Sequence, residues 1–166
     1  MRAAGLAAGL AALGALAACG GGGIEATSEP TVQRVVVQDR YAVRQSTRGF
    51  DATLSALFEA LDRRDLTVFA VIDHAAAARG VGAELAPTTV VIFGNPEAGT
   101  PLMRSVAVMG AELPLRALVF ERGGEVFLAT TGMANLARTY PLDEQREVVA
   151  KVDRALGEIA NEVVGP

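Results

Sequence analysis

Cysteine is almost absent from these 166 residues: Cys19 is the only one. One cysteine forms no disulfide within its own chain and builds no cysteine-based metal site. His74 is likewise the only histidine, which excludes a zinc site made from two histidines of one subunit. Tryptophan is missing, and two tyrosines with six phenylalanines complete the aromatic content. That is too little for a platform that stacks bases or sugars. Lysine occurs once, at Lys151, beside 14 arginines. The basic residues gather into no stripe, and the net charge is −4. Nucleic acid therefore has no electrostatic footing as a partner.

What is present is apolar. Half of the residues, 51%, are hydrophobic, enough to bury the core of one domain. The first long apolar stretch is an address and not part of that core. "MRAAGLAAGLAALGALAAC" opens with Arg2 and runs uncharged through residues 3–18. Sixteen such residues fall short of the ~20 of a membrane-spanning helix and suit a signal-peptide core. The run closes on Leu16, Ala17, Ala18 and Cys19, which resembles the lipobox of bacterial lipoproteins. The resemblance implies cleavage before Cys19, acylation of its thiol and amino group, and a partner in the lipid bilayer. Two or more acyl chains anchor stably where one does not. Gly20 in place of aspartate implies the outer membrane, if the envelope is Gram-negative. Cleavage removes Arg2 and leaves 14 basic against 19 acidic residues, a net −5.

The chain thus reads as a signal peptide over 1–18, a lipidated cysteine with a glycine-rich tether over 19–33, and one domain over 34–166. A valine-rich strand is expected from near Val32 through "VQRVVVQDRYAV". "STRGFDATLSALFEALDRRD" carries Phe50, Leu54, Leu57, Phe58 and Leu61 at helical spacing, with Asp51 in the first turn. "LTVFAVID" reads as a buried strand. Asp73 caps the short helix former "HAAAAR", closed by Gly80. "PTTVVIF" is a third strand. The turn-rich "GNPEAGTPLM" follows, with Thr100 as the cap and Pro101 as the first residue of a helix over 101–110. "LPLRALVFE" and "EVFLATT" flank Gly123-Gly124 as a hairpin. "GMANLARTYPL" is a short helix. The final segment repeats Val149, Val152, Leu156, Ile159 and Val163 at 3,4,3,4 spacing, an amphipathic helix. The expected class is α+β, a single mostly antiparallel sheet with helices packed on one face.

Several motifs in order, Ile72-Asp73-His74, "LAPT" at 85–88, Phe93-Gly94-Asn95-Pro96, Gly99 to Met103 and Leu113-Pro114-Leu115, resemble the family known as domain of unknown function 302. The resemblance spans roughly 35–140. It implies a small β-α-β-β-β-β-α domain and a homodimer, and no established activity. One stretch departs: where members carry a Tyr-Asn-Asp-Pro-like segment, this chain reads "ATTGMANLARTY".

The chemistry on offer is sparse. His74, expected at the first position of a helix, is biased toward neutral imidazole by the helix dipole. It could ligate a metal or haem, act as a general base, or simply hydrogen-bond a neighbouring loop. Asp73, pointing away from it, serves better as a cap than as a dyad partner. The start of the Thr100 helix could receive a carboxylate or phosphate. Met103, Met109 and Met133 read as core filler before they read as copper or haem ligands. Ser55 and Ser105 lack a nucleophile elbow. The reading is a non-catalytic module for a small ligand or an envelope protein, with no cofactor expected. A pocket is expected where the strand ending at Asp73 meets residues 94–100, lined by His74, Asn95, Thr100 and Met103.

Overall fold

The computed structural model describes residues 40–166. The leader, Cys19, the tether and the start of the expected first strand lie outside the described residues. Ten regular elements follow: β1 (Tyr41–Ser46), α1 (Phe50–Asp62), β2 (Thr67–Asp73), α2 (His74–Gly80), β3 (Thr88–Gly94), α3 (Pro96–Ser105), β4 (Leu115–Arg122), β5 (Glu125–Thr131), α4 (Met133–Thr139) and α5 (Arg146–Val164). Short 3-10 turns sit at Ala107–Ala111 and Asp143–Gln145.

The five strands form one sheet in the order β1-β5-β4-β3-β2, every neighbouring pair antiparallel. The fold is α+β, as the element pattern leads one to expect. β4 and β5 join through Gly123 and Gly124, both at positive φ, which a two-residue hairpin turn of this hand requires. β1 and β2 occupy opposite edges, so α1 must carry the chain across the sheet. Four inter-strand gaps span ~19 Å, and 13 helical residues span about the same.

Alternation sorts each strand into two faces. Val91, Phe93, Ala117, Val119, Val126 and Leu128 are buried. They share one core cluster with Leu57 and Leu61 of α1 and with Leu156, Ile159 and Val163 of α5. On the other face Val43, Ala129, Leu118, Val90 and Ile72 stand in register across all five strands. Most of this second row is half-exposed, and Phe120 stacks on Phe127 beside it at 5.3 Å.

β2 departs from the expected buried strand. Its composition suits a pleated core, yet six of its seven residues are exposed, including Phe69 at 51%. The reason is position: an edge strand has a neighbour on one side only, and its pairing with β3 shifts register between Val68 and Ala70.

α5 ends in carbonyls that its own sequence leaves without a basic partner, since no basic residue lies in its last turn. The β1–α1 turn supplies the donors. Arg48 Nη1 donates to the carbonyls of Glu162 (2.8 Å) and Val163 (2.7 Å). The Thr47 backbone N–H donates to the Val164 carbonyl at 2.8 Å. Buried Ser46 and Thr53 share a hydroxyl hydrogen bond at 2.8 Å just beneath. Arg48→Ala should lower stability by about 1–3 kcal/mol, because it strips charged donors from half-buried carbonyls. Chemical denaturation monitored by circular dichroism measures this; a change below about 0.5 kcal/mol would show that water replaces the guanidinium.

Candidate functional site

A groove of about 810 Å³ lies between α3 and α5, within the ~300–1,000 Å³ typical of small-molecule sites. Phe93, Gly94 and Leu115 form its floor, at the ends of β3 and β4. α5 contributes a wall of Val148, Lys151, Val152, Ala155, Leu156, Glu158 and Ile159, a stripe at three- and four-residue spacing. α3 and the segment before it contribute the facing wall, with Asn95, Glu97, Gly99, Thr100, Leu102 and Met103. Leu66 and Phe69 close one end.

α3 starts earlier than the sequence suggests. Asn95, not Thr100, is the cap: its Oδ1 accepts from the Glu97 backbone N–H at 2.8 Å, and Pro96 takes the first helical position. Asn-Pro satisfies the same cap-then-proline rule as Thr-Pro, and it comes first along the chain. Thr100 lies within the helix, its hydroxyl donating back to the Pro96 carbonyl at 2.7 Å. The anion site expected at a Thr100 helix start therefore has no free N–H groups there to build it. Pro101 sits inside the helix, which ends at Ser105 and gives way to the 3-10 turn.

Three of the four expected lining residues come together here: Asn95, Thr100 and Met103. His74 does not join them. In the antiparallel β2–β3 pair, Gly94 lies opposite Thr67 while Asp73 lies opposite Thr89. The Gly94 loop thus meets the beginning of β2, and His74 sits just past the other end, seven residues beyond Thr67. The expected meeting of both at one end would need β2 and β3 to run parallel. Asp73 caps α2 as expected, its Oδ1 accepting from the Ala76 backbone N–H at 2.8 Å. His74 is exposed. Met109 and Met133 are fully buried in the core, and Met103 is 37% exposed at the groove mouth. Among the described residues no three His, Cys, Asp or Glu side chains cluster as a metal site would.

Lys151, Glu97, Glu158 and Arg64 also line it. In the sequence Lys151 stands out only as the sole lysine, and Glu158 only as a polar position bordering the α5 stripe. Arg64 is tied to Glu162 at 2.9 Å and to the Ala60 carbonyl at 3.0 Å. Away from the groove, the Tyr140 hydroxyl donates to Glu112 Oε1 at 2.9 Å, and Arg40 approaches the same carboxylate at 3.5 Å. The hydrogen bond to Glu112, then desolvation and the carboxylate's charge, raise the Tyr140 pKa above its ordinary 10.0.

With this geometry described, comparison with known proteins places the chain. The family model described as "Domain of unknown function DUF302" matches residues 42–162. Proteins described as fluoride-specific ion channels from Brucella suis and Brucella melitensis are each 35% identical over 118 residues. These matches cover 70% of this chain but 44% and 41% of those proteins. The chain therefore spans less than half the length of these curated relatives. The crystal structure of an uncharacterized conserved DUF302 protein from Bacillus stearothermophilus superposes with a TM-score of 0.68 at 15% identity. That match covers 74% of this chain and 97% of the other, and it speaks for the fold alone.

Two measurements follow from the site's geometry. Asn95→Ala should destabilise by about 1 kcal/mol through loss of the α3 cap, while His74→Ala should stay within about 0.5 kcal/mol of wild type, as for an exposed site; paired thermal melts compare them. Glu112→Gln should bring the Tyr140 titration back toward its ordinary value, read by ultraviolet difference spectroscopy. The sign is fixed: a raised tyrosine pKa favours the folded state below pH 10.0, and this contribution fades as pH climbs through the folded value.

Proposed function

The chain belongs to the DUF302 family, and from that premise we propose that it is a lipid-anchored, extracytoplasmic binding module without catalytic activity. Its ligand site is the groove between α3 and α5. The observation that carries this reading is the groove itself: an apolar floor and walls of ligand-sized volume, with few polar groups around the rim. The lipobox-like "LAAC" supports the anchor through acylated Cys19. The partial match of this chain to proteins described as fluoride-specific ion channels is a further support for work at a membrane. Among the described residues no helix is long and apolar enough to cross a membrane.

The rival readings of His74, as haem or metal ligand or as general base, find less support. His74 is exposed at the far end of β2, away from the groove, and among the described residues it belongs to no cluster of three His, Cys, Asp or Glu side chains. A homodimer, or an envelope protein as partner, belongs to the proposal for a separate reason. The row Val43-Ala129-Leu118-Val90-Ile72 is uncharged and ends on the free edge of β2. A two-fold related copy seated on it would set apolar side chains against apolar side chains along that row.

An uncharged apolar fluorophore such as N-phenylnaphthylamine should brighten on binding the full chain, and Ala155→Trp, which fills the groove, should abolish the signal. Equal brightening in both proteins would remove the groove as the ligand site. In cells, a labelled fatty acid should be incorporated into the wild type and not into Cys19→Ser.

A further inference from the structure

The groove is polarised along its length. α5 sets Lys151 and Glu158 on the same wall, two turns or ~10 Å apart. Glu162, one turn beyond Glu158, pairs with both Arg63 and Arg64, so the Glu158 end is the Arg64 end. Glu97 belongs to that end too, because it follows Gly94, which lies opposite Thr67 at the start of β2. The arginines there are already engaged by Glu162. Lys151 stands at the opposite end as the only lysine of the chain. Among the described residues it has no ion-pair partner, and Val148 and Val152 flank it on the helix.

From this arrangement we infer that the groove takes a single-chain anionic amphiphile of the fatty-acid class, its head group on the Lys151 ammonium and its chain running along α5 toward Phe69. The inference rests on the groove being the ligand site and adds the chemistry of the ligand. A cation beside an apolar trough selects for charge and hydrocarbon together. Burying each methylene contributes up to ~0.8 kcal/mol, so chain length governs affinity while the ammonium fixes direction. The lysine stem also covers apolar surface on its way to the rim, which keeps the charge at the water boundary. Carboxylates at the far end oppose the reversed orientation of the same molecule. Met103 and Leu102 line the facing wall, and an unbranched thioether adapts to a chain of variable bend.

The test uses the full chain carrying Cys19→Ser, so that it bears no lipid of its own. Palmitate, methyl palmitate and dodecyltrimethylammonium are titrated against bound N-phenylnaphthylamine. Palmitate should displace the fluorophore best. Lys151→Glu should weaken palmitate about tenfold or more, as loss and reversal of a charge-assisted contact does, and should leave methyl palmitate unchanged. Lys151 is exposed on a helix, so this variant keeps its fold, which a thermal melt checks. If palmitate and its methyl ester compete alike, or if the ammonium compound outcompetes both, the anionic head is overturned while the groove stands as a site. If the fluorophore itself fails to bind, the groove reading falls first.

Discussion

Both the core and the groove of this domain depend on how α5 is seated. Its apolar stripe buries Leu156, Ile159 and Val163 against the sheet, and the adjoining positions Val148, Val152 and Ala155 turn the same helix into a groove wall. One 19-residue element therefore serves both core and site. A helix in that position cannot slide without emptying the core, and close-packed interiors resist such shifts. Its C-terminal carbonyls are held by Arg48 and Thr47 from the opposite edge of the sequence. The first turn of the domain and the last turn of the chain are thereby joined, so the groove is completed only when both ends of the domain are in place.

Much of the fold is legible in the sequence because its signals are local. The periods of α1 and α5, the Asp73 cap, and the paired glycines between β4 and β5 each decide their own neighbourhood. The site is less legible because it is made by pairing. Whether residues 94–100 meet the start or the end of β2 depends on strand direction, which no residue in "VFAVIDHAAAARGVG" encodes by itself. The antiparallel register separates His74 from Asn95, Thr100 and Met103, which chain order alone puts in one cleft. The α3 boundary fails for a different reason: two cap-and-proline pairs compete within seven residues, and the helix begins at the first of them, capped by Asn95.

Edge position explains the other departure. Strand composition reports what a pleated segment could bury, not what covers it. β2 has the residues of an interior strand and the neighbours of an outer one, with Phe69 displaced by the register shift onto the groove end, near Gly94. A sheet whose two edges are β1 and β2, joined by α1 across the helical face, leaves such a strand at the rim by topology alone.

The two walls of the groove differ in kind. α5 is long and continuous, whereas α3 has ten residues with Gly99 and Pro101 in its middle. Proline donates no backbone hydrogen bond, and glycine weakens a helix interior. One wall is thus a regular 19-residue helix, and the other is short and interrupted by residues that weaken a helix. For a ligand of the kind proposed above, the cost of ordering would then fall on α3, so the stiffness of one helix, more than the side chains it displays, would set how many chain shapes fit.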